Sequence, residues 1–139
     1  MLTAIYNKLI GDATLMATLS GGVHRAQEIS RQSTPAAYDA NAEVKPCALL
    51  KATTATPWGP HTDSGRLYVQ VLLYERHGYT SIEAARRRIY DLLHDTQLTP
   101  VSGDGCYEIV HAGDVLEQED GALGAAMAVS RFVATVQRK

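Results

Sequence analysis

The residues able to do chemistry are scattered along the chain. The five histidines, His24, His61, His77, His94 and His111, form no HxH or HxxxH pair, so no metal-ligand spacing is present and most read as surface or loop residues. Strand pairing could still bring His77 and His111 together, and a pocket joining them to a carboxylate would mark a small enzyme or ligand-binding domain. A nucleophile needs an activating base and an orienting third group. No GxSxG occurs, and Cys47 and Cys106 stand in apolar strand contexts, Pro46-Cys47-Ala48 and Gly105-Cys106-Tyr107. A thiol there behaves as a small hydrophobe. Asp114, Glu117, Glu119 and Asp120 lack the alternation of a calcium loop and are expected at a solvated strand end or turn, where acid side chains discourage indiscriminate edge pairing. Gly21-Gly22 and Gly103-Asp104-Gly105 lack the Lys-Ser/Thr of a phosphate loop and read as turns. The expectation is a non-enzyme with no catalytic residue, no metal and no cofactor.

Contact chemistry is better represented. Arg86-Arg87-Arg88 is the most visible basic run. On a helix these residues span about 200°, so they cannot share one partner. Pairs such as Glu83–Arg87 and Arg87–Asp91 on a solvated face are the simplest reading. The alternative is that Arg86 or Arg87 binds a neighbouring subunit's carboxylates, as Arg138 could. Trp58 sits in the proline-flanked run Pro57-Trp58-Gly59-Pro60. It either folds back over its own core or anchors an interface, with Tyr68, Tyr74 and Tyr79 extending the patch.

These residues need elements to hold them. Leu2, Ile5 and Leu9, then Leu15, Met16 and Leu19, follow helical spacing, interrupted at Gly11-Asp12, where Asp12 suits the N-cap of a second short helix. Val23 to Ile29 reads as a short strand, and residues 30–45 as a long surface loop. Pro46 to Thr54 and Gly65 to His77 read as a hairpin whose tip, about 55–65, cannot continue a ladder through Pro57 and Pro60. Leu67, Val69, Val71 and Leu73 share one face of the second strand. Thr80-x-x-Glu83 fits a capping box opening a helix with the stripe Ile82, Ala85, Ile89, Leu92 and Leu93. Cys106 to Leu116 reads as a strand broken at Gly113-Asp114, and Ala126 to Val136 as the last strand. The order implies an α+β fold: a largely antiparallel sheet of about four strands with two main helices on one face.

The bounds agree. A length of 139 residues suits one domain, 1–139. A formal net charge of −2 argues against a protein that grips nucleic-acid phosphates. No run approaches the roughly 20 apolar residues of a membrane span. No signal-peptide pattern is visible, and cysteine usage suggests a reduced compartment.

The order of elements resembles the tail terminator, or tail completion, proteins of long-tailed bacteriophages, a family that includes small minor tail proteins. The matching features are Leu19-Ser20-Gly21-Gly22 with Val23-His24-Arg25, then Pro46-Cys47-Ala48-Leu49-Leu50, the strand Arg66 to Tyr74, the helix Ile82 to Leu93, and Arg131-Phe132-Val133. The resemblance implies a structural virion protein without an active site. Copies would form a ring, expected to be a homohexamer, on the head-proximal end of the tail. The ring would stop tube growth and join the tail to the connector. Implied partners are further copies of the chain, the tail tube protein and the connector or stopper protein, with DNA passing through a neutral or acidic bore without specific binding and no membrane involved. The implied location is the virion tail, after assembly in the host cytoplasm. The long stretch at 30–44 and the Pro57–Pro60 tip depart from the usual family shape. A stopper protein of the head-tail connector is the alternative within assembly.

Overall fold

A computed structural model describes residues 2–58, 61–98 and 104–138, excluding the side chains at 58, 61–63, 104–107 and 138. The elements run α1 (Leu2–Ile10), α2 (Ala13–Thr18), β1 (Val23–His24), β2 (Cys47–Trp58), β3 (His61–Glu75), α3 (Thr80–Leu93), β4 (Asp104–Asp120) and β5 (Ala125–Arg138). The expected α+β architecture holds. The sheet has five strands in the order β1-β2-β3-β5-β4, antiparallel except for β1 beside β2.

Strand alternation sorts the side chains onto two faces. Val69, Val71 and Leu73 of β3, Ala48 and Leu50 of β2, and Ala128, Phe132 and Ala134 of β5 point at the helices. There they meet Ile5 and Leu9 of α1, Leu15 of α2, and Ile82, Ala85, Ile89 and Leu93 of α3, all buried. The α3 stripe is the one the sequence spacing implies. Asp12 caps α2 as expected, its carboxylate accepting the Leu15 N–H at 2.9 Å. The α3 start differs from the capping-box expectation. Tyr79 is the N-cap and makes no side-chain cap. Instead Glu75, at the end of β3, accepts the Ser81 and Ile82 N–H groups at 3.0 and 3.4 Å. A carboxylate there satisfies orphan amides and faces the positive end of the helix dipole.

Four other expectations need correction. The Val23 to Ile29 strand is reduced to Val23–His24. The 30–45 stretch is not a bare surface loop. It carries a short 3-10 helix, Pro35–Ala37, and a bridge between Tyr38 and Val44. Ile29, Ala37 and Val44 are buried on the second sheet face against Cys47, Leu49 and Tyr74. Its apolar residues lack a period because irregular backbone delivers them. β2 does not stop before Pro57 but pairs with β3 to Trp58. Proline is tolerated because its missing N–H falls on the side of β2 away from β3. Finally, β4 runs through Gly113 as a bulge rather than breaking there. Gly113 has φ of 115°, which a side chain would resist.

Candidate functional site

A polar cluster fastens α3 to the sheet. Arg86 Nη1 donates to Asp114 Oδ2 at 2.9 Å. The other Asp114 oxygen accepts from His111 Nε2 at 2.9 Å and from Ser130 Oγ at 2.7 Å. Burial pushes the Asp114 carboxyl up, but the His111 and Ser130 hydrogen bonds and the His111 and Arg86 charges outweigh it, leaving it below the ordinary carboxylate range. His111 also donates its backbone N–H to His94 Nδ1 at 3.1 Å, and Tyr90 stacks on His94 with ring centroids 4.6 Å apart. A serine, a histidine and an aspartate meet here, but in the wrong order for nucleophilic catalysis. The hydroxyl donates to the carboxylate instead of to the imidazole, and Ser130 is fully buried. This corrects the expectation that Asp114 lies at a solvated strand end. His77 is exposed in the turn after β3, and no contact among the described residues joins it to His111.

Arg88, two residues on, ties α3 to the start of α2. Its Nε and Nη2 donate to the two oxygens of Asp12 at 2.8 and 2.7 Å, a bidentate pair. The Arg88 hydrogen bonds, then the Leu15 amide, hold the Asp12 carboxyl down at about 2. Two arginines of the basic run are therefore spent inside the chain. Only Arg87 points to solvent, exposed on the outer side of α3.

The remaining interface residues fall in different places. Tyr74 is buried under the 26–45 segment, and burial pushes its phenol up to about 12. A ring so covered has no free surface to offer a partner. Tyr68 is half-buried on the second face of the sheet, beyond the reach of that segment. The side chains of Trp58 and Arg138 lie outside the described residues. Cys47 is buried, which raises its thiol to about 12 and leaves it inert at neutral pH. No cluster among the described residues could hold a metal ion.

What sequence reasoning missed is the character of the two sheet margins. On one side, β1 covers only Ala48 and Leu49 of β2. Ala48 donates its N–H to Gly22 at 3.0 Å, so Leu50 and Ala52 direct their backbone groups to the same side, Ala52 past the end of β1. Thr53 is a bulge residue, after which Ala55 and Pro57 face that margin. A hollow of about 630 Å³ lies alongside, bounded by Leu2, Arg25, Ala26, Lys51 and Ala52. Among the described residues, no carboxylate lines it.

The opposite margin is β4. Three register shifts bend it, and at the last, between Val115 and Gln118, two residues stand opposite one of β5. Those two are Leu116, which is 50% exposed, and Glu117, with φ of 51°. Exposed Gln118 and Glu119 follow. The pattern that could have revealed this knob is an apolar pair running directly into a polar, acid-rich stretch, Val115-Leu116-Glu117-Gln118-Glu119.

No protein-family model matches the sequence, and no curated protein matches it. Among solved structures, the chain is similar to one from the virion of a native gene transfer agent particle. The TM-score is 0.77 at 16% identity, covering 99% of this chain and 94% of the other. At that identity the likeness establishes a shared fold. The fold is thus one found in the virion of a gene transfer agent.

Proposed function

We propose that this chain is a structural virion protein that closes the head-proximal end of a tail tube as a ring of identical copies, ending tube growth and providing the joint to the head connector. The observation that carries the reading is the fold likeness over nearly the whole chain to a component of a virion particle. The order of elements in the sequence points the same way. The interior supports a role in assembly: Arg86–Asp114 fastens α3 to the sheet and Arg88–Asp12 fastens α3 to the start of α2. Among the described residues, the β2 margin past β1 and the part of β4 beyond His111 have no strand beside them, whereas Ile109 of β4 is bridged by Thr96. A ring requires a heterologous contact, in which one surface of a subunit matches a different surface of the next.

The experiment is electron microscopy of particles produced without this chain. Tubes of irregular and excessive length, unattached to heads, are the expected result. Tails of normal length joined to heads would refute the reading. Capture by connector protein but not by tail tube protein would move the chain to the stopper position.

A further inference from the structure

We propose that the β4 knob of one copy seats in the β2-margin hollow of a second copy, so that the two opposite margins of one sheet form a head-to-tail contact. The inference rests on the ring reading above and names the surfaces that would build it. Position is the first argument. β2, beyond the short β1, and β4 bound the two sides of the same sheet, so the match between them repeats from copy to copy instead of closing on a pair.

Charge is the second. Arg25 and Lys51 flank the hollow and no described carboxylate lines it, whereas the knob carries Glu117 and Glu119, which pair with no described side chain. Opposite potentials on matched surfaces select the orientation of docking and disfavour like margins meeting. Arg25 is already oriented, donating through Nη1 to Thr3 at 2.9 Å, with the other guanidinium N–H groups left to reach a carboxylate.

Shape is the third. Leu116 has the largest exposure of any large apolar side chain among the described residues, and the hollow offers Leu2, Ala26 and Ala52 as an apolar lining. Glu117 holds a left-handed backbone conformation that non-glycine residues rarely adopt, which presents Leu116 and itself on a two-residue bulge. A nucleic acid is a poorer occupant. Two cations beside the hollow, on a chain of net charge −2, are too few for phosphate-driven affinity.

The test uses particles whose only source of this chain is a variant. The double substitution Arg25→Glu with Lys51→Glu makes both margins acidic, and Glu117→Lys with Glu119→Lys makes both basic. Each alone should lower the yield of tailed particles at least tenfold, and co-expression of the two should restore it by alternation around the ring. Circular dichroism of the purified variants controls for folding. A chain carrying Leu116→Cys and Ala52→Cys should give, on oxidation of intact particles, a disulfide ladder of dimer, trimer and higher species. A ladder stopping at dimer, no cross-link in particles that contain the chain, or full yield from either charge variant would overturn the proposed contact while leaving the ring reading in place. Tailed particles that form normally but lose DNA only in the Arg25 and Lys51 variant would assign the hollow to nucleic acid instead. Particles that never contain the chain would overturn both.

Discussion

The two faces of the sheet are covered by different means. The inner face is buried by three helices whose apolar stripes repeat at helical spacing, and it forms one large cluster around Phe132, Val71 and Ile89. Among the described residues, the outer face is buried over its Cys47–Tyr74 end, by irregular chain that contributes Ile29, Ala37 and Val44. Further along, Lys51, Gln70 and Arg131 sit side by side across β2, β3 and β5, and a polar row replaces the apolar one. Hydrophobic burial depends on area removed from water and not on the regularity of what does the removing. The regular layer sets global stability, while the irregular cover is a local patch on an already formed sheet.

That contrast can be broken by substitution. Phe132→Ala on the inner face should cost about 3–5 kcal/mol, because a fully buried aromatic leaves a cavity that helices and sheet cannot close. Urea unfolding monitored by circular dichroism reads it, with the whole transition shifted. Ile29→Ala under the outer cover should cost about 2 kcal/mol, at the low end for such a change, since irregular chain can collapse into the space. Hydrogen exchange should localise its effect to residues 26–45 and leave α3 protected. Equal loss of protection in α3 would contradict the division into a global and a local layer.

Asp114→Asn sharpens the comparison from the polar side. It keeps the volume but removes the charge that Arg86 and His111 face, and should cost about 1–3 kcal/mol. Adding Arg86→Met should recover part of the loss, because the uncompensated cation then disappears. Smallest is the pH effect of Asp12. Its carboxyl lies at about 2 when folded, against an ordinary 3.8, so the stabilisation is present in full above the unfolded value. It is lost as pH falls from about 4 through about 2. Asp12→Asn should flatten that part of the stability profile while lowering stability at neutral pH.

The legible part of the fold was the part with a period. The alternation of Leu67, Val69, Val71 and Leu73 marked β3, and Ile82, Ala85, Ile89 and Leu93 marked α3. Asp12 could be read as a cap because its partner lies three residues away. Arg88–Asp12, 76 residues apart, and Arg86–Asp114, 28 apart, could not, since charge sequence carries no information on long-range pairing. Glu75 displaced the Thr80–Glu83 box for a similar reason: the tight β3–α3 turn brings a better-placed carboxylate to the same amides. The candidate surfaces were least legible. Bulges depend on register, so Leu116 shows as exposed only once β4 is laid against β5.

The central claim is that this chain works through contacts with copies of itself and a tubular partner. Cryo-electron microscopy of the native particle tests it most directly. The account predicts a closed ring of this fold at the head-proximal end of the tail, each copy's β4 margin against its neighbour's β2 margin. The chain absent from the particle, or present as an isolated copy touching no other, would contradict it.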